Sequence, residues 1–416
     1  MALPKFLDRF SAARQVMPAQ FWLLMGGGLI SSTGGAMVWP FLSSYLKGRL
    51  DVPLTTVTLL LTLNSVSGIL FSFLGGMLAD RFGRKGVMVV SLFAGVFYFL
   101  LMGQTGSLSY YAVLLVLWGA LNPLYPIGVN AMIADLVPPA SRMDAYSLIR
   151  IVHNAGVAIG PVIGGLLAGV SINAAFYGAA AAFLVFGLFI VFLIRETLQI
   201  TTRPGESIPT GAVTGGYAVL FRDRQFIGFV LSFIGSAMAS AVMFILLPVY
   251  TKEQFGMPES QYSYIVSINA VMVIFVQYLV TRIIRKYPSM PVLAAGALFY
   301  GFGVGSIALG SGFWGFALGM VIMTIGELVM TPTATSLVAA LAPADMRGRY
   351  MSVYGLTWPV ALGVGPILAG LLYDHVSPVS MWYGGFLFGL ISALGFLILW
   401  YKFPNERGQV VSSTIA

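Results

Sequence analysis

The chain has 416 residues, 58% of them hydrophobic and only 9% charged, with a formal net charge of +8. A soluble globular domain carries roughly 25% charged residues, so this chain lacks the polar surface needed to face water on all sides. It has no cysteine and only two histidines, His153 and His375. Disulfides, thiolate metal sites and cysteine nucleophiles are thereby excluded, a histidine-built metal centre is disfavoured, and no cofactor is expected.

The N-terminal stretch "MALPKFLDRFSAARQVMPAQFW" has no short apolar core followed by a small-residue cleavage site, and it reads as an amphipathic lead-in to an uncleaved first span. Apolar runs of about 20 residues then recur, each long enough to cross ~30 Å of hydrocarbon as a helix. They predict spans at 19–46, 53–79, 86–105, 108–135, 144–170 and 172–195, then 225–251, 260–284, 290–310, 312–340, 347–373 and 377–401. A β-barrel would show alternating segments of ~10 residues instead. The expected fold is therefore an all-α polytopic membrane protein with twelve transmembrane helices, seated in a lipid bilayer. The Gly/Pro/Thr-rich stretch 196–224 divides it into an N-terminal six-helix bundle (1–195), a cytoplasmic linker, and a C-terminal six-helix bundle (225–416).

Basic residues settle the expected orientation. Arg81, Arg84, Lys85, Arg142, Arg195, Arg222, Arg224, Arg282, Arg285, Lys286 and Arg349 fall in even-numbered loops, and Lys5, Arg9, Arg14 and Lys402 lie near the termini. The opposite face has Lys47, Arg49 and Lys252. By the positive-inside rule both termini are cytoplasmic, in a cell membrane. Bases confined to short loops set topology rather than bind nucleic acid.

Sliding the chain against itself by 205 residues aligns Pro53 with Pro258, Asn64 with Asn269, Pro138 with Pro343 and Arg142 with Arg347. "AIGPVIGGLL" at 158–167 meets "GVGPILAGLL" at 363–372. Apolar segments resemble one another by chance, but Pro, Asn and Arg coinciding at one offset point to two six-helix pseudo-repeats. Parallel repeats are a transporter plan with the substrate path near the midplane. The same offset pairs Asn122 of span 4 with Glu327 of span 10.

Between spans 2 and 3 stands "GGMLADRFGRKG", with a weak second copy, "QYLVTRIIRK" at 277–286, between spans 8 and 9. The first copy resembles the signature loop of the major facilitator superfamily, with Gly76, Asp80, Arg81, Gly83, Arg84 and Lys85 at the family spacing. The resemblance implies that this loop steadies one state of a gating cycle and that Asp135, ending span 4, takes part. The plainer alternative is that Arg81, Arg84 and Lys85 serve only as topological anchors, and Asp80 is also placed to favour the N-terminus of a neighbouring helix through its dipole. In span 5, "GVAIGPVIGG" resembles the antiporter motif of the twelve-helix drug:proton branch, with Gly156, Gly160, Pro161, Gly164 and Gly165 in place. A generic small-residue packing face is the plainer alternative. One departure stands out: the family's intramembrane arginine of span 4 is replaced by Leu115.

Ionisable groups predicted within spans are Glu327 in span 10 and Arg150 and His153 in span 5. A charge at the bilayer centre costs roughly 2.5–3.5 kcal/mol on insertion scales, and taking a carboxyl out of water favours its neutral form. Glu327 is therefore the leading proton-coupling candidate, against the alternative of a permanently paired structural acid. Arg150 is either a coupling residue or an anchor snorkelling to the interface. Asn122, Tyr125, Asn154, Trp39, Met330 and Trp358 are candidate substrate-contacting residues, because several stand beside proline breaks and aromatic or thioether side chains suit lipophilic cations.

Together these features predict a secondary active transporter, not an enzyme, that exports lipophilic or cationic drugs in exchange for protons by alternating access. Its partners are a small-molecule substrate and protons, with the chain acting as a monomer. Export of sugars or lipid-linked glycans, and a non-transporting receptor, are the alternatives.

Overall fold

In hydrocarbon every backbone N–H and C=O must be paired within the protein, which leaves the helix as the form for these apolar runs. The computed structural model describes residues 17–104, 106–138, 141–198, 217–343 and 346–403. Among these residues twelve helices are long and apolar enough to cross a membrane. In the first half they are Ala19–Leu50, Leu54–Phe82, Arg84–Met102, Leu108–Leu136, Leu148–Val170 and Ile172–Leu193. The second half has Arg224–Phe255, Glu259–Ile284, Ser289–Ser306, Gly312–Leu341, Arg349–His375 and Ser380–Lys402. These are spans 1 to 12 below. The central part of the expected linker, 199–216, lies outside the described residues, as do Lys5, Arg9 and Arg14.

Three spans are interrupted beside prolines, whose missing N–H removes a rung, while others run through theirs, as span 10 does at Pro332. Span 1 passes through a 3-10 turn at Trp39–Phe41, around Pro40, and continues to Leu50. Span 4 is two helices, Leu108–Leu121 and Leu124–Leu136, meeting at Asn122 and Pro123. Span 11 stops at Gly355 and restarts at Thr357, because Pro359 offers no N–H to the Gly355 carbonyl.

The chain folds into two compact units, one made of residues 1–42 and 66–201, the other of 43–65 and 202–416. The end of span 1 and the first turns of span 2 thus group with the C-terminal helices.

In the first unit span 5 lies on span 1. A Cβ on Gly160 would stand 2.6 Å from the Thr33 carbonyl oxygen, and one on Gly164 would overlap the Met37 carbonyl. In the second unit span 11 lies on span 7 in the same way, with a Cβ on Gly365 reaching 3.1 Å from Met238. Gly160 and Gly365, and Thr33 and Met238, are each separated by the 205-residue offset of the repeat. The repeat is thus a repeat of packing as well as of sequence.

Candidate functional site

The acid of span 10 lies in the C-terminal unit, half-buried, beside spans 8 and 9. Span 10 approaches span 9 so closely at Gly326 that a Cβ there would stand 2.7 Å from the Gly296 carbonyl oxygen. That contact fixes the rotation of the next residue, Glu327. From span 8, Asn269 Nδ2 donates to Glu327 Oε2 at 2.7 Å and to Thr324 Oγ1 at 3.1 Å. Thr324 in turn donates to the Met320 carbonyl at 2.7 Å, one turn back along span 10. Tyr300 of span 9 is buried beside the carboxyl, within electrostatic reach of it and of Tyr354, and next to Ser240 of span 7. The arrangement is a carboxyl held by a neutral donor in a largely apolar surround. Burial favours the neutral form of such a carboxyl and the donated hydrogen bond favours the ionised one, so the two act in opposite directions on its proton.

The signature loop lies in the N-terminal unit. Gly83 has φ +88°, a left-handed conformation that side-chain-bearing residues avoid, and it turns span 2 into span 3. Arg84 pairs with Asp80 and with Asp135, both at 3.2 Å. Thr197 Oγ1 also donates to Asp135, at 2.8 Å. Lys85 donates to the Val191 carbonyl at 2.7 Å. Arg81 is exposed, its guanidinium 5.6 Å from the Phe82 ring centre, and Gly76 has open space around it.

At the start of span 3 stands an acid that the sequence reading did not single out. Glu196, just past span 6, accepts from the backbone N–H groups of Arg84 at 3.1 Å and Lys85 at 2.9 Å. It also accepts from Thr197 and Leu198 N–H at 2.8 and 2.9 Å. Partial burial pushes its carboxyl up, but the four backbone donors outweigh that and hold it below its ordinary value. The helix-terminus role open to Asp80 is therefore filled at span 3 by Glu196, while Asp80 pairs with Arg84. The available signal was an acid directly after an apolar run, in "LIRETL".

The remaining candidates are dispersed. In the N-terminal unit Arg150 is exposed, Asn154 is half-buried and Leu115 is buried in the core. Asn122 is exposed at the break in span 4, and its carbonyl accepts from Ser91 Oγ at 3.2 Å. Tyr125 packs edge-on against Phe186, with its hydroxyl over Gly28. Trp39 is exposed at the turn in span 1. In the C-terminal unit Trp358 is half-buried at the break in span 11. Met330 is buried, with Gly296 of span 9 packed against its side chain. That placement makes Met330 a packing residue within this unit.

A second unanticipated group lies in the C-terminal unit. Asp374, at the end of span 11, accepts from Leu54 N–H at 3.1 Å and from Thr55 N–H and Oγ1, each at 2.7 Å. It caps the N-terminus of span 2, which the preceding Pro53 has no side chain to cap. Nearby, Lys47 pairs with Glu253 at 3.6 Å and lies 5.8 Å from the Tyr373 ring centre.

Twelve helical spans in two pseudo-repeats, with a carboxyl hydrogen-bonded among them, define a polytopic membrane transporter of the repeated-bundle class. The family model described as Major Facilitator Superfamily matches residues 24–315 and 253–414. The chain belongs to the Major Facilitator Superfamily. It is 27% identical to a "Na(+), Li(+), K(+)/H(+) antiporter" of Planococcus maritimus, across 93% of this chain and 96% of that one. It is 25% identical to "Multidrug resistance protein MdtH" of Escherichia coli O9:H4 (strain HS), across 96% of this chain and 98% of that one. Among solved structures, a nucleoside transporter, NupG, superposes with a TM-score of 0.77 at 13% identity, covering 91% of this chain and 99% of that one. At that identity the superposition shows the shared fold alone.

Proposed function

We propose that the chain is a proton-coupled antiporter that exports lipophilic or cationic compounds across the cell membrane by alternating access. Both termini are cytoplasmic and the monomer is the working unit. The observation that carries this reading is the Glu327 carboxyl, set within span 10 and hydrogen-bonded by the Asn269 amide of span 8. When protonated, Glu327 is neutral and releases a cationic substrate; when ionised, it attracts one. Proton and substrate then exchange at one group, which is what antiport requires. Arg150 tunes the cycle, while Asp80, Arg84 and Asp135 stabilise one of its states. The likeness to a multidrug resistance protein supports this substrate class.

The test is export in proteoliposomes under an imposed pH gradient, with a lipophilic cation such as tetraphenylphosphonium as probe. Glu327→Gln is expected to abolish gradient-driven export while leaving membrane insertion and thermal stability intact. Undiminished gradient-driven export by that variant removes Glu327 from the coupling role.

A second reading has its own support. Glu327 and Thr324 present hard oxygen atoms side by side, the ligand type that small metal cations favour, and one relative is named as a Na(+), Li(+), K(+)/H(+) antiporter. The same vesicles with Na+, Li+ and K+ in place of the lipophilic cation separate the two: the metal-cation reading requires proton release that saturates with one of these ions.

A further inference from the structure

Span 10 carries Pro332 inside an otherwise continuous helix, Gly312–Leu341. A proline at this position gives no N–H to the carbonyl four residues before it, which here is Leu328, the residue after Glu327. An unpaired carbonyl inside hydrocarbon is costly. The structure fills it from another helix: Gln277 Nε2 of span 8 donates to the Leu328 carbonyl at 2.9 Å, and to Thr281 Oγ1 at 3.0 Å.

Gln277 stands two turns along span 8 from Asn269, which donates to Glu327 itself. Span 8 therefore grips span 10 twice, once on the carboxyl and once on the backbone of the following residue. The N-terminal unit has a looser counterpart. There Pro126 offers no N–H to the Asn122 carbonyl, which accepts instead from Tyr125 N–H at 3.3 Å and from Ser91 Oγ of span 3 at 3.2 Å. Asn122 is the residue that the 205-residue offset pairs with Glu327. In each half a proline about one turn beyond the polar position removes a helical donor. A side chain of a neighbouring span donates to the carbonyl concerned, that of Asn122 itself in one half and that of the residue after Glu327 in the other.

We infer that Gln277 is a positioning residue for Glu327: it supplies the donor that Pro332 lacks, fixes the turn of span 10 carrying the carboxyl, and so holds the carboxyl on Asn269. The inference rests on the reading of Glu327 as the coupling group. Among the described residues, the phenol of Tyr300 on span 9 lies within electrostatic reach of that carboxyl, and Tyr354 on span 11 within reach of Tyr300. The side-chain amide of Gln277 donates to Thr281 and to the Leu328 carbonyl, not to either phenol. Removing Gln277 frees the Leu328 carbonyl to seek another donor, the turn shifts, and the distance from Asn269 to the carboxyl changes with it.

The experiment is a pH titration of the Glu327 carboxyl in the full chain, followed by infrared difference spectroscopy. The band is assigned by its loss in Glu327→Gln, so no substrate need be known. Gln277→Leu is expected to move the midpoint by about half a pH unit or more. Adding Pro332→Ala restores the helical N–H to the Leu328 carbonyl, so the double variant is expected to return to the wild-type midpoint. Thr281→Val, which removes the other partner of Gln277, is expected to leave it in place. If Gln277→Leu alone does not accumulate, accumulation of the double variant is the same rescue. An unchanged midpoint in Gln277→Leu overturns the inference, as does a shift that persists in the double variant or is reproduced by Thr281→Val. Export that survives in Glu327→Gln overturns the coupling reading instead, whatever the titration gives.

Discussion

Asn269 and Glu327 lie on different spans, 58 residues apart in sequence, and are joined by a 2.7 Å bond from the amide Nδ2 to Oε2. An amide N–H donating to a carboxylate favours the ionised form without neutralising it. The pair therefore combines two requirements, a carboxyl kept deep among helices and one still free to change its charge. Asn269→Ala removes the donor, so the carboxyl should hold its proton to higher pH. The midpoint of the pH profile of export is expected to move alkaline by up to about one unit, equivalent to ~1.4 kcal/mol. Export measured in vesicles across external pH checks this, and an unmoved profile rules Asn269 out as the tuning partner.

Glu196 gives a pH prediction of a different kind. Its folded-state carboxyl is held below the ordinary value of 4.5 by backbone donors that outweigh its burial. The stability it contributes is therefore fully present above that value and is lost as pH falls through the lower, folded one. Its position is substantially solvated, so the contribution sits at the low end of helix-capping effects, about 0.5–1 kcal/mol. Glu196→Gln is expected to lower the melting temperature in detergent at neutral pH. The difference from wild type should shrink below the ordinary carboxylate range. An equal difference at all pH values would assign the effect to packing.

What could be read from the sequence, and what could not, divides on the reach of each interaction. The twelve spans were legible because hydropathy is local, and the repeat because proline, asparagine and arginine recur at one offset. Glu327 was legible because an ionisable side chain in a long apolar run is conspicuous. Its partner was not. Asn269 was noticed only as the repeat-mate of Asn64, and Gln277 only as the start of a degenerate loop copy, since nothing local says that either faces span 10. Glu196 and Asp374 were missed for the same reason: each is an ordinary acid at a span end until the fold brings a bare helix start to it. Met330 stands beside a proline, but the side it faces depends on how closely spans 9 and 10 pack.

The glycines of span 5 and of the signature loop separate packing from gating. A Cβ at Gly164 would overlap the Met37 carbonyl, which is backbone and cannot swing aside. Gly164→Ala is therefore expected to cost about 1–3 kcal/mol, the usual range for overpacking, seen as reduced folded yield and a lower melting temperature. Gly76 has nothing within 4 Å of where its Cβ would stand, so Gly76→Ala is expected to leave stability unchanged. If Gly76 belongs to the gating loop, the same variant transports more slowly. Normal transport by a normally stable Gly76→Ala would remove that position from the gate.

Asp374 holds the start of span 2 through three donors that converge on it. Leu54 N–H, Thr55 N–H and Thr55 Oγ1 all end on its carboxylate, and the helix they open, Leu54–Phe82, has no cap from its own preceding residue, Pro53. Asp374→Ala leaves the two N–H groups without this acceptor, at an expected cost of about 1–2 kcal/mol. Asp374→Asn keeps one acceptor oxygen and should lose less. Thr55→Val removes only the hydroxyl bond, so alone it should cost less than Asp374→Ala. In the Asp374→Ala background its effect should largely vanish, because the bond it removes is already gone. Thermal melting of the four variants in detergent measures that coupling directly. Additive losses would mean that Thr55 and Asp374 stabilise span 2 separately, and the cap would then rest on the backbone donors alone.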